Sequence, residues 1–225
     1  MALLPDHLSN KPLARERLPS ETLTQHQRER ILIAATPVFA KRGFQQTTVE
    51  SHIVPAAKIS IGHFYQHFDN KEQCFLAAHD RILAAARERI AAGVAGGDGW
   101  AEQSYLGLAE MLAIAAESPL QARMALIEVQ SAGPAALARY NALMDEVVTW
   151  LRRGREFNPD AAQLPASFEQ AAVAGFAFFL AQRLLASEPL SVDSLLADTV
   201  QMVLEPITGS AQLRALRGGL AAAGT

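Results

Sequence analysis

The apolar positions Ile31, Ala35, Val38 and Phe39 recur at helical spacing and predict an amphipathic helix. Thr24-Gln25-His26-Gln27 ahead of them has the form of a capping box. Lys41 and Arg42 favour the negative end of the helix dipole, and Gly43 supplies a left-handed stop. A second start follows at Thr47-Thr48-Val49-Glu50, where Val49 and Ile53, four apart, give one short apolar face. Ala57-Lys58-Ile59 reads as a tight turn and Ser60 as an N-cap, with Ile59 and Phe64 forming a hydrophobic staple around it. Phe64, Tyr65 and Phe68 anchor a very short helix. Asp69-Asn70-Lys71-Glu72-Gln73 then caps a longer one lined by Phe75, Ala78, Ile82 and Ala85. Short helices whose second pair is joined by a tight turn make a helix-turn-helix pattern. Phe39, Val49, Ile53, Ile59, Phe64, Phe68 and Phe75 are its expected core, which leaves the polar residues of 60–67 facing outward.

Beyond the glycine-rich stretch GVAGGDG (93–99) the pattern stays helical to about residue 207. Predicted helices span 100–116, 119–131, 134–153, 166–186 and 191–204, with breaks where Pro and Gly cluster. No alternating strand pattern appears, and the 42 alanines favour helix and close helix packing. The expected organisation is a flexible arm (1–21), a helix-turn-helix unit (22–75) whose connecting helix runs on to about 93, a second helical domain (94–208) and a flexible tail (209–225). The fold class is all-α.

Composition narrows the function. A single cysteine excludes a disulfide scaffold and a Cys-rich zinc module. The first residues carry no basic start followed by a long apolar run, and no stretch of about 18 uncharged apolar residues is present, so a cytoplasmic protein without membrane contact is expected. The net charge of -3 first argues against nucleic acid. Splitting the chain at Phe75 changes that picture, because the first part is net +2 and holds all four lysines and five of six histidines. Such a segment on an acidic body suits two separate jobs, although the imbalance is small.

The stretch Gly43-Phe44-x-x-Thr47-Thr48-Val49, followed by Ala56-Ala57-Lys58-Ile59-Ser60-Ile61-Gly62-His63-Phe64-Tyr65-Gln66-His67-Phe68-x-Asn70-Lys71-Glu72, resembles the DNA-binding domain of the tetracycline-repressor (TetR) family. The likeness covers roughly residues 24–75; the rest resembles the family's regulatory domain only in length, helix count and layout. The resemblance implies an N-terminal three-helix DNA-binding domain followed by an all-helical ligand-binding and dimerisation domain. It also implies a homodimer on a near-palindromic double-stranded operator, most often a repressor, released when an unknown small-molecule effector enters the second domain. No cofactor is expected. Three departures stand out: one extra residue between Thr48 and Ser60, near Ser51-His52; Pro55 inside the second helix; and Lys58 in place of the turn glycine.

Ser60, Ile61, Gly62 and His63 open the third helix, the end of a recognition helix that meets base edges. Ile61 suits a thymine methyl, and His63 and Gln66 can hydrogen-bond bases. Thr47, Thr48, Tyr65, His67 and Lys71 suit phosphates, which position the head without reading sequence. His63 and His67 are four apart, yet no acidic or thiol partner completes a metal site, so no metal is assigned. Cys74 reads as a buried structural residue in preference to a redox sensor. In the second domain, Trp100, Tyr105, Met111, Met124, Phe168, Phe176 and Phe179 are candidates for an apolar ligand cavity or for ordinary core. Arg123, Glu128 and Gln130 are candidates to orient a polar ligand group or to lie on a solvated face. The run 171–181 is apolar all round and must be buried all round. Ala171, Ala174, Gly175, Phe178 and Ala181, with Leu195, Val200 and Val203 on the following helix, fit a four-helix dimer interface; the competing account is a central helix of a monomer.

A ligand-responsive transcriptional regulator is the leading reading. An enzyme lacks support, since no nucleophile–base arrangement, phosphate loop or metal cluster is visible. A helical small-molecule-binding or adaptor protein with an impaired DNA-reading head remains the alternative, motivated by Pro55 and the extra residue.

Overall fold

The computed structural model describes residues 20–186 and 189–223, so almost all of the expected arm lies outside the described residues. Every described element is helical. Helix α1 (Ser20–Arg42) starts ahead of the Thr24 capping box, because nothing in Ser-Glu-Thr-Leu breaks a helical ladder. Pro37 sits inside it, and the Thr36 hydroxyl beside that proline donates to Leu32 O at 2.8 Å. The helix ends at Gly43, whose φ of +85° only glycine adopts freely.

The extra residue and Pro55 have one joint solution. Val49–Ile53 forms a π turn in which Ile53 N–H reaches Thr48 O, five residues back, at 3.3 Å. It runs directly into α2 (Val54–Ala57), with Pro55 in the first turn. In a regular α-helix the proline ring meets the carbonyl four residues back. A π turn takes up one additional residue and moves that carbonyl away. The same device recurs later, where the π turn Val200–Leu204 precedes Pro206 in α10 (Glu205–Thr208). The chain then turns at Lys58, which adopts the left-handed conformation (φ 54°, ψ 50°) despite its side chain. Helix α3 (Ile61–Tyr65) follows the Ser60 cap, and α4 (Lys71–Val94) follows Asn70, whose side chain accepts from Gln73 N at 2.8 Å.

The body comprises α5 (Gly99–Glu117), α6 (Pro119–Leu126), α7 (Pro134–Arg152), α8 (Phe168–Ala186) and α9 (Val192–Thr199). The predicted helix 119–131 is split: α6 stops at Leu126 and Glu128–Ser131 tightens into a 3-10 turn. The last predicted helix runs past Leu204 through α10. The stretch beyond Gly209, expected to be flexible, forms α11 (Ser210–Ala223), because its Leu213 is buried in the body core.

Two apolar cores result. The first gathers the seven predicted head residues around stacked and edge-on Phe39, Phe44 and Phe75, with ring centroids 5.1–5.9 Å apart. It also takes in Met124, Ala125, Val129, Ala132 and Ala136 from the body, so the head is packed onto α6 and α7 and does not hang from α4 alone. The second core is built on Trp100, Leu112, Leu151, Val200, Leu204 and Ile207. There Trp100 Nε1 donates to Trp150 O and Trp150 Nε1 to Ser104 Oγ, both at 2.9 Å, while Ser104 Oγ donates to Trp100 O at 2.7 Å. Arg155 forms a two-pronged pair with the fully buried Glu169 at 2.6 and 3.1 Å and donates to the Leu164 and Pro165 carbonyls. Among the described residues, no helix is long and apolar enough to cross a membrane.

Candidate nucleic-acid interface

Helix α3 buries Phe64 and turns Ile61, Gly62, His63, Tyr65 and Gln66 outward. Its first turn is held by Ser60, whose Oγ accepts from His63 N at 3.2 Å and lies 3.1 Å from His63 Nδ1. Nothing stands within 4 Å of a side chain added at Gly62 except Ser60 Oγ at 4.0 Å, so another surface can approach this backbone closely. Tyr65 donates to Glu50 Oε1 at 3.2 Å, linking α3 to the π turn. Partial desolvation and the neighbouring Glu50 carboxylate raise its phenol above the usual value, so it stays protonated and able to donate.

Three residues assigned to phosphates on sequence are placed otherwise. Thr47 is fully buried and its hydroxyl donates to Gly43 O at 2.8 Å, closing the loop after α1, so its side chain meets no phosphate. Lys71 donates to Phe44 O at 2.9 Å and Gln45 O at 3.4 Å, with its ammonium 4.4 Å from the Phe44 ring centre. These bonds tie the start of α4 to the loop after α1. His67 turns Nε2 into the head, where it is buried and unpaired. Burial, then the electrostatic influence of Arg28 and His63, push its imidazole below the ordinary value. Thr48 is exposed and caps the π turn, accepting from Ser51 N at 3.4 Å. Its reciprocal partner is His52, whose Nδ1 accepts from Thr48 N at 3.0 Å. The exposed Arg28, over the Phe68 ring at 5.0 Å, is a second cation on this side that the motif does not mark.

Burial pushes the Cys74 thiol up to about 12, so it is no thiolate. His79 is fully buried beside Phe75 with neither ring nitrogen well paired, and desolvation lowers its affinity for a proton.

In the body, Tyr105, Met111, Phe168, Phe176 and Phe179 are half-buried against the second core, with the Arg183 guanidinium 5.2 Å from the Phe179 ring. Trp100 is core, locked by its indole hydrogen bond. Met124 belongs to the first core and faces the head. Glu128 accepts from Phe44 N at 3.1 Å, while Gln45 Nε2 donates to Ser131 O at 2.8 Å. The 3-10 turn 128–131 is thus a joint between body and head, which removes Glu128 from the ligand candidates. Gln130 is occupied by Leu126 O at 2.7 Å. Arg123 remains: its Nε is buried without a partner on a helix whose Ala122 and Leu126 pack into the second core. A shallow cleft of about 130 Å³ lies between Trp100, Phe157, Asn158 and Ile207.

Of the interface candidates, Ala171, Ala174 and Phe178 are exposed and Gly175 and Ala181 are half-buried, all on one side of α8. Phe178 is 67% exposed, and Leu185 and Met202 extend the apolar face. Leu195, Val200 and Val203 are buried inside the protomer, because α9 and the π turn that follows it press their apolar side onto α5 and α8.

Residues 31–78 match the family described as bacterial regulatory proteins, tetR family. No curated protein matches the chain. Among solved structures, the fatty acid degradation regulator FadR from Bacillus halodurans superposes with a TM-score of 0.67 at 17% identity, over 80% of this chain and 98% of its own. A TetR family transcription regulator from Marinobacter aquaeolei gives 0.65 at 20% identity, over 83% and 97%. AibR in complex with isovaleryl coenzyme A and operator DNA gives 0.64 at 15% identity, over 79% and 98%. Residues 31–78 are thus similar to bacterial regulatory proteins of the tetR family, and the chain shares its fold with a solved TetR family transcription regulator.

Proposed function

We propose that this protein is a dimeric, ligand-responsive transcriptional regulator, a repressor that leaves its operator when a small molecule binds the body. The observation that carries the reading is the outward face of α3. A capped, glycine-containing helix start offers Ile61, His63 and Gln66 to base edges, with Tyr65 and Thr48 beside them for the backbone. The π turn accommodates Pro55 and the extra residue while the Ser60 cap and α3 remain formed, which removes the motive for an impaired head. The apolar side of α8 around Phe178 supports a dimer, since a 19-residue apolar helix left half uncovered requires a partner.

For the effector, an acyl-coenzyme A thioester is the class to test first. Half-buried Tyr105, Met111, Phe168 and Phe176 suit an acyl chain, and the buried, unpartnered Nε of Arg123 suits a polar acyl head. AibR, of the same fold, holds such a ligand. Fluorescence anisotropy with the duplex upstream of its own coding region tests the first part; no binding at low salt, or binding independent of sequence, refutes it. Adding isovaleryl- and longer acyl-coenzyme A should then release the duplex, and Arg123→Met should blunt that release without altering operator affinity. Phe178→Glu should give a monomer in sedimentation.

A further inference from the structure

Helix α4 meets α1, α5 and α7 through ion pairs: Arg81 with Glu29, Arg89 with Glu110 and Glu117, and Asp80 and Arg87 with Arg139 and Glu146. Toward α6 it presents His79 instead. That side chain is fully buried, with its ring stacked on Phe75 at 6.3 Å between centroids. A neutral imidazole carries one donor and one acceptor, and here neither nitrogen has a partner. The Ala125 carbonyl, in the last turn of α6, attracts the ring without closing a hydrogen bond of ordinary geometry. His79 thus sits where the two regions join. Met124 and Ala125 enter the first core at this seam, and Glu128, just beyond them, holds the Phe44 amide of the head at 3.1 Å.

We propose that His79 makes the joint between head and body acid-sensitive: a proton on this ring drives α4 and α6 apart and loosens the body's hold on the head. The charged groups that act on the ring are Asp80 and Arg87 of α4 and Arg139 of α7. Asp80 is already held by Arg139 at 2.7 and 3.2 Å, and Arg87 by Glu146 at 2.8 Å. Among the described residues, neither α1 nor α6 adds a charge that acts there; Glu29 of α1 is taken by Arg81. An imidazolium would therefore place two N–H groups in a dry core beside two guanidiniums, with no acceptor in line. Burial outweighs the pull of the Ala125 carbonyl and of Asp80 and holds the imidazole below its ordinary value. Opening the seam lets water reach the ring and restores that value, 6.5. The closed joint is at full strength above this pH and weakens as pH falls below it. This holds whatever the head binds.

Amide exchange in the full chain, corrected for its intrinsic pH dependence, reads the joint at about pH 7.5 and about pH 5.5. Wild-type protection at Phe44 should fall at least about threefold, with about tenfold the ceiling for one group over one unit. Amides of the second core, such as Leu204, should keep theirs. His79→Leu and His79→Gln cannot take up the proton, so Phe44 protection in whichever of them folds should change by less than about twofold. The wild-type ring signal in NMR needs no variant and should titrate below 6.5. Unchanged wild-type protection, an equal loss in the variants, an equal loss in both cores, or a ring that titrates at its ordinary value overturns the proposal.

Discussion

In the head, the caps and turns are closed by side chains paired three or four residues away: Thr47 with Gly43, Thr48 with His52, Ser60 with His63, Asn70 with Gln73. In the body the bonds that join separate elements reach farther along the chain. Trp100 reaches Trp150, Arg155 reaches Glu169, and Glu128 reaches back 84 residues to Phe44. A unit held by local bonds can be recognised from a short motif and tolerates an inserted residue, as the π turn demonstrates. A unit held by distant bonds has no such motif, and its sequence is free to drift wherever the distant partners are kept.

The difference can be broken most forcefully in the body. Arg155→Met leaves the Glu169 carboxylate buried and unpaired, which should remove about 3–5 kcal/mol in urea denaturation at neutral pH. Burial works to raise the Glu169 pKa, but hydrogen bonds from Arg155 outweigh it and hold the carboxyl below its ordinary value. The pair's contribution is therefore complete above about pH 4.5. It is lost as pH falls through the folded value, so wild type and variant should converge in acid.

Gly154→Ala comes next. An added Cβ would stand 2.4 Å from Trp100 Cη2 and 2.5 Å from Ile207 Cγ2, so about 2–3 kcal/mol should be lost, with a shift in tryptophan emission. Glu128→Ala tests the joint between the two regions. It should destabilise by about 1–2 kcal/mol and speed hydrogen exchange at the Phe44 amide, whereas the two body variants leave that amide protected relative to global unfolding. The smallest effect sharpens the comparison from the head side. Lys58→Gly relieves a left-handed lysine and should stabilise by about 0.5–1 kcal/mol in thermal melts.

Legibility in the sequence follows the same division. Ser60 as a cap, the Ile59–Phe64 packing and the outward 60–66 face were readable because each depends on spacings of three to five residues. Lys71 and Thr47 make bonds that the motif containing them does not announce. Their partners are backbone carbonyls in the loop after α1, and a carbonyl leaves no mark in a sequence. His52 was missed because its partner is a backbone N–H brought near by a π turn. In the body, Met124 and Glu128 carry residue types suited to a ligand cavity, but α6 and the turn after it point them toward the head. Leu195, Val200 and Val203 have an apolar face, as expected, and only packing decides that it turns inward while Phe178 turns outward.

The sequence alone determined the all-helical class, the position of the helix-turn-helix and the face it shows, since hydrophobic period, caps and breakers act over a turn or two of chain. Only the tertiary structure decided how the extra residue and Pro55 are absorbed, which cations stay available at the surface, and that head and body share one core. Those outcomes turn on backbone groups and on residues tens of positions away, and the free energy of such contacts exists only once the chain has brought them together.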